Sequence, residues 1–464
     1  MGAMNMSKHQ FANVRVPIEL DNPSIVRDED KCIKCGLCRN VCQAEIGVNN
    51  MYDLNKTGDF AICTHCGQCA NVCPVESITE VYDYEKVETA LADPEKIVIF
   101  STSPAVRVAL GEEFGLTPGE YVEGKMVAAL RALGADYVLD TTFAADLTIM
   151  EEAAELVERI TKKTKPLPQF TSCCPAWVEF VEYFYPEYIP NLSTAKSPIG
   201  MQGATIKTYF AKERGIDPTK IVNVAVAPCT AKKFEIKRPE MKDSADIYGN
   251  PNLRDMDYAI TTRELAKWLK QRAIDFNGLE NSEYDQLLSR GSGAGVIFGN
   301  TGGVMEAAVR TAYHLITGDQ PPRDLYQLTA VRGIEGLKEA DLAIAGNTVK
   351  VAVMTGTGNM FQLMKRILVD KVPYDFIEVM TCRGGCIGGG GQPRTEVPMT
   401  DAVRYQRIAG LYQADATDAI RLSYENPDIK AIYKNFYDKP LSDKAEKLLH
   451  TSYNSKEHLL DKIK

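Results

Sequence analysis

Eight cysteines in two short runs constrain this chain more than any other feature. "CIKCGLCRNVC" carries Cys32, Cys35, Cys38 and Cys42, and "CTHCGQCANVCP" carries Cys63, Cys66, Cys69 and Cys73, repeating the first at an offset of 31 residues. Three cysteines with two-residue gaps let one loop wrap three corners of a cubane. The fourth, often followed by proline, reaches the other cluster of a two-cluster ferredoxin. The spacing therefore assigns Cys32, Cys35, Cys38 and Cys73 to one 4Fe-4S cluster and Cys63, Cys66, Cys69 and Cys42 to a second, with Pro74 completing the second run. Zinc and disulfides are the competing readings. Zinc ribbons usually pair two short CxxC units, and disulfides go with export signals, of which none is visible. With four thiolates already at hand, His65 is expected to be a solvent-side or cluster-tuning residue.

At 464 residues the chain is long enough for two or three domains. Its balance of 45% hydrophobic and 25% charged residues is that of a globular protein. A formal charge of -9 argues against a nucleic-acid binder. No apolar run approaches the roughly 18 residues of a membrane span, so no membrane partner is expected. The start, "MGAMNMSKHQ", lacks the apolar core of a secretory signal and has Met6 where a myristoylation motif wants Ser or Thr. A cytoplasmic location is expected.

After about Val81, short β-branched runs alternate with helical periods. "KIVIFST" from Lys96, "NVAVAPC" from Asn223, "KVAVMTG" from Lys350 and "YDFIEVMTC" from Tyr374 read as strands; "MVAALRAL" from Met126 and "TIMEEAAELVERI" from Thr148 read as helices. The expected class is α/β with largely parallel sheets, whose chemistry sits at the carboxyl ends of strands. The five remaining cysteines fall in such loops: Cys173 and Cys174, Cys229, and Cys382 with Cys386. Gly384, Gly385 and the run from Gly388 to Gly391, flanked by two of these cysteines, read as a cofactor cradle.

"TSCCPAW", "PCTAKKFE" and "EVMTCRGGCIGGGGQP" resemble, in order and spacing, the three signature segments of the FeFe-hydrogenases. The resemblance spans essentially the whole chain. It implies a two-lobed catalytic domain over 83–400, preceded by an extension over 1–22 and a two-cluster ferredoxin-like domain over 23–82, and followed over 401–464 by a helical tail like the family's small subunit. It also implies an H-cluster, a 4Fe-4S cubane joined through a cysteine sulfur to a diiron unit bearing CO, cyanide and an azadithiolate. Carried over by position, Cys174, Cys229, Cys382 and Cys386 hold the cubane, and Cys386 bridges to the diiron unit. Cys173, the thirteenth cysteine, becomes the proton donor beside it.

Glu152, Glu155 and Arg159 share one helix face by spacing, and with Ser193 they match the family's proton path. The competing reading is a solvated face with an ordinary i,i+4 ion pair. Lys232 matches the lysine that contacts a cyanide ligand, and Pro104, Pro198, Phe298 and Met380 match pocket walls, although core packing accounts for the last two equally well. Departures from the usual pattern are Ala227 for methionine, Ile199 for glutamine, Ser103 and Ala105 in the pocket, and Ala176 for a frequent glycine.

The function expected is reversible conversion of protons and electrons to H2. Ferredoxin or flavodoxin is the expected electron partner, and dedicated maturation proteins are the expected source of the diiron unit. Lys31, Lys34 and Arg39 beside the first cluster could favour an acidic partner. A slow hydrogen sensor and an iron-sulfur assembly protein are the alternatives.

Overall fold

The structure is a computed structural model that describes residues 14–53, 60–288, 290–394 and 397–461; Met6 and the first part of the 1–22 extension lie outside the described residues. β1 (Ile25–Arg27) and β2 (Ile78–Glu80) pair antiparallel. β3 (Ile97–Thr102), β4 (Tyr137–Asp140), β5 (Gln169–Phe170), β6 (Ile221–Ala227), β7 (Tyr258–Thr261), β8 (Leu337–Ile344), β9 (Asn347–Thr355) and β10 (Phe376–Met380) build two four-stranded sheets. Their spatial orders are β4-β3-β6-β7 and β5-β10-β9-β8.

The first sheet is parallel throughout. Its strand β6, "IVNVAVA", is buried at every position, as a parallel strand covered on both faces requires. In the second sheet β5, β10 and β9 are parallel and only β8 runs antiparallel. Buried and exposed positions intermix along β8, consistent with an edge strand that has one wet face. It joins β9 through Ala345 and Gly346, both at positive φ (50° and 79°), a two-residue turn whose twist suits a hairpin.

The 31-residue cysteine repeat is also a conformational repeat. Lys34 and His65 hold φ of 57° and 60°, and Gly36 and Gly67, two residues on, hold 81° and 73°. Each glycine opens a short helix, Leu37–Ala44 and Gln68–Asn71. β1 and β2 close this region from its two ends.

A long helix, Thr141–Lys162, follows β4 directly. Asp140 caps it by accepting from the Thr142 amide at 2.7 Å. It packs against the helices Pro198–Thr205 and Gly303–Thr317, and Asp146, Glu151, Glu152 and Glu155 are all buried along it. The chain after residue 400 includes the helices Asp401–Thr417, Pro427–Ile432, Asp443–Leu449 and Glu457–Leu460. It does not form a separate core. Ile429, Ile432, Tyr433, Leu448 and Leu449 join Phe143, Leu147 and Met150 of the long helix in one apolar cluster.

Candidate active site

Strand ends bring together what the sequence holds far apart. Cys173 and Cys174 follow β5, Cys229 follows β6, and Cys382 and Cys386 follow β10, so loops from both sheets converge at carboxyl ends. Burial, then the charge of Cys174, pushes the Cys229 thiol up to about 12. Burial and the charges of Cys229 and Cys174 raise Cys386, and burial with Cys66, Cys229 and Cys174 raises Cys382. Thiols that oppose one another's ionisation in this way need a cationic centre among them before they become thiolates. Among the described residues no three His, Cys, Asp or Glu side chains close on one point as a single metal ion requires. Four thiols delivered from three segments form the donor set of a 4Fe-4S cubane.

Beside these thiols lies a mostly apolar pocket. Every pocket residue singled out in the sequence lines it: Ser103, Pro104, Ala105, Pro198, Ile199, Ala227, Phe298 and Met380, together with Cys173, Cys229, Lys232 and Cys386. Phe298 and Met380 are buried core residues as well, so their two readings coincide. Lys232 is buried and donates to Glu235 Oε2 at 2.8 Å and to the Cys173 carbonyl at 3.2 Å. Burial opposes its charge, but Glu235 and Cys229 more than offset this, so it stays protonated. Thr141 also lines the pocket, with a buried hydroxyl that has no protein partner. The sequence reading missed it, although Asp140–Thr141–Thr142 carries a helix-cap signal straight after a strand.

Behind Cys173 runs a line of polar groups. Burial, then the charge of Glu152, raises the Cys173 thiol well above its ordinary value. Burial and the charges of Glu155 and Glu378 push the Glu152 carboxyl up to about 8, with Ser193 and Arg159 opposing them more weakly. Glu155, three residues on, behaves oppositely: against the effect of burial, Arg159 and Lys165 hold it below the usual carboxylate range. Ser193 Oγ donates to Glu155 Oε2 at 2.8 Å, Arg159 Nη2 to Glu155 Oε1 at 2.7 Å, and Lys165 Nζ to the same oxygen at 2.9 Å. This face is buried, so the solvated alternative is excluded. Arg159 is itself buried, and its guanidinium donates to the carbonyls of Pro166, Pro190, Asn191 and Leu192.

In the N-terminal region one cavity is lined by Cys32, Cys35, Cys38 and Cys73, and another by Cys42, Cys63, Cys66 and Cys69. Each contains three cysteines from one run and the fourth from the other. His65 is not on the solvent side: it is buried, stacked on Phe234 at 4.3 Å, and desolvation lowers it to about 3.

Within the glycine run, Gly390 has a packing role as well. A Cβ on Gly390 would lie 2.0 Å from the Cys66 carbonyl, so its bare backbone is what lets the second cysteine run approach. Three hydrogen bonds seal this joint: Gln68 Nε2 to the Gly388 carbonyl (2.8 Å), Asn71 Nδ2 to that of Gly389 (3.1 Å) and Thr230 Oγ1 to that of His65 (2.7 Å).

Comparison with known proteins defines the class that this fold and site belong to. Residues 96–390 match the family "Iron only hydrogenase large subunit, C-terminal domain", residues 401–456 match "Iron hydrogenase small subunit", and residues 24–74 match "4Fe-4S dicluster domain". The chain belongs to the iron-only, or FeFe, hydrogenase family and is a hydrogenase.

Among its relatives, the NADP-reducing hydrogenase subunit HndD of Solidesulfovibrio fructosivorans is 45% identical, over 94% of this chain and 75% of the relative. Iron hydrogenase 1 of Clostridium pasteurianum is 43% identical, over 93% and 76%. A variant of the apo FeFe-hydrogenase HydA1 of Chlamydomonas reinhardtii superposes with a TM-score of 0.71 at 40% identity, covering 81% of this chain and 99% of that one. Among the described residues no helix is long and apolar enough to cross a membrane.

Proposed function

We propose that this hydrogenase interconverts 2 H+ plus 2 electrons with H2, and that Cys174, Cys229, Cys382 and Cys386 would hold an H-cluster for that reaction. The observation that carries this reading is the meeting of four thiols beside an apolar pocket, two of them, Cys229 and Cys386, in its wall with Cys173 and Lys232. Such a cluster would supply redox-active iron for H2 and a base for the proton.

The chain supplies the rest. Pro104, Ala105, Pro198, Ile199, Ala227, Phe298 and Met380 keep water from the pocket. Lys232, oriented by Glu235, presents an ammonium that suits an anionic diatomic ligand. Cys173 gives and takes the proton at the pocket wall, Glu152 carries it as a neutral acid near pH 7, and Ser193 passes it to Glu155, which is anionic and ready to accept. Environments that push two neighbouring carboxyls apart in acidity define a donor and an acceptor. Arg159 and Lys165 keep Glu155 in that state, and Lys165, 40% exposed at its side chain, stands at the solvent end.

In this reading two 4Fe-4S clusters relay electrons through the domain over 23–82. The second adjoins the catalytic domain over 83–400 at Gly390, and the first has Cys35 exposed beside Lys31 and Lys34. Ferredoxin or flavodoxin is the electron partner, maturation proteins insert the diiron unit, the segment over 401–464 is the counterpart of the small subunit, and the protein works in the cytoplasm.

Infrared spectroscopy of anaerobically matured protein, paired with hydrogen-evolution assays, tests the reading. CO and cyanide stretching bands with turnover that collapses in Cys173→Ala support it. Absence of such bands in protein with full iron-sulfur loading refutes the diiron assignment.

A further inference from the structure

The segment that carries Ser193 is held from three directions. From the relay side, Glu155 Oε2 accepts from Ser193 Oγ at 2.8 Å and from the Thr194 amide at 3.0 Å. From the pocket side, Ser172 Oγ, one residue before Cys173, donates to the Ala195 carbonyl at 2.8 Å. From the far side comes the tail. Ala195 and His450 form an antiparallel bridge, the Lys196 amide donates to the Leu449 carbonyl at 2.8 Å, and the Thr451 amide to the Thr194 carbonyl at 2.8 Å.

His450 closes this contact through its ring. Its Nδ1 lies 2.9 Å from Thr194 Oγ1 and its Nε2 lies 3.1 Å from Glu151 Oε2. Glu151 is fully buried and neighbours Glu152 on the long helix, and it also accepts from Tyr433 Oη at 2.5 Å and from the Leu441 amide at 2.8 Å. Lys165 Nζ, which also donates to Glu155, reaches Thr194 Oγ1 at 3.3 Å. One donor direction satisfies the whole set: Lys165 to Thr194, Thr194 to Nδ1, and Nε2–H to Glu151.

We propose that the C-terminal tail is a positioning element of the proton relay: His450, anchored by Glu151, clamps Thr194 and thereby holds Ser193 against Glu155. The proposal rests on the relay reading given above. His450 is not one of the proposed cluster ligands and acts through its bonds to Thr194 and Glu151, so its effect is on proton delivery and not on cluster binding. Misplacing a reacting group by about 1 Å costs up to roughly 100-fold in rate, which sets the scale.

The test compares matured wild-type enzyme with His450→Ala, His450→Gln, Thr194→Val and Glu152→Gln. His450→Ala and Thr194→Val are expected to lower H2 evolution by roughly tenfold and to raise the solvent deuterium isotope effect, with iron content and CO and cyanide bands unchanged. Hydrogen exchange across 193–196 is expected to quicken in both, and His450→Gln, which keeps a side-chain hydrogen bond, to recover most of the rate. Wild-type turnover and isotope effect in Thr194→Val, alongside collapse in Glu152→Gln, overturn the clamp and leave the relay standing. Wild-type turnover in Glu152→Gln overturns the relay and the clamp with it. Loss of iron or of the infrared bands in Thr194→Val assigns the segment to cluster binding and also overturns the proposal. If His450→Ala does not fold, Thr194→Val decides alone, since it removes one hydroxyl from an otherwise unchanged segment.

Discussion

The N-terminal cysteine region and the catalytic pocket use the same ligand chemistry and are built in opposite ways. In the first, eight cysteines sit within 42 residues, from Cys32 to Cys73, and local turns with repeated positive φ at Lys34 and His65 aim them. In the second, cysteines from three segments are delivered by β5, β6 and β10 of two sheets. The first has an exposed rim at Cys35, with Ile33 61% exposed, while in the second Cys173 and Cys382 are buried and Cys174, Cys229 and Cys386 half-buried. A site built locally can stand at the surface and exchange electrons. A site built by the fold can exclude water and shift the acidity of its neighbours, because its walls come from every side.

Several substitutions would break or sharpen this contrast. The largest effect is expected from Cys386→Ala against Cys35→Ser. The first should abolish CO and cyanide bands and turnover together. The second should cost at most one cluster's iron and spare the bands, measured by iron analysis and infrared spectroscopy on the same preparations.

Glu152→Gln comes next, with turnover expected to fall by about 100-fold or more while the bands persist. It has a second signature. A carboxyl pushed from its ordinary 4.5 up to about 8 in the folded state favours folding less and less as pH rises across that interval. Glu152→Gln should therefore match the wild type in thermal stability near pH 4 and exceed it above pH 8, by a few kcal/mol. A pH series of unfolding midpoints checks the sign.

Gly390→Ala should act on the joint between the two regions. Its Cβ meets backbone at 2.0 Å, so the second cysteine run must move away, at a cost of about 1 to 3 kcal/mol. Electron delivery to the catalytic domain should slow while bands and iron content hold, which freeze-quench spectroscopy of cluster reduction would detect. The smallest effect is expected from Ala227→Met, which adds a thioether to an already apolar wall. It should shift the CO and cyanide bands slightly and change turnover less than tenfold.

How much of this could be read beforehand differs between the two regions. The exchanged cysteine pairing and the buried strands β3, β6, β9 and β10 follow from spacing and periodicity. The pocket residues were legible only through resemblance to a family, since Ile199, Ala227 and Met380 carry no local signal. The antiparallel β8, the buried His65 and the role of Gly390 were missed, each because a distant segment decides it: Phe234 stacks on His65, and Cys66 meets Gly390.

By itself the sequence determined which cysteines fall into repeating runs and which segments are strands, because cysteine spacing and strand periodicity are short-range properties of the chain. Tertiary structure alone decided that Glu152 is held neutral while Glu155, one helical turn away, is held charged, that a glycine run serves as a joint, and that the tail reaches the Ser193 segment. The joint and the tail contact depend on backbone contacts between residues hundreds of positions apart, and the split between the two carboxyls depends on burial, which no local pattern encodes even though Arg159, four residues from Glu155, supplies part of the charge.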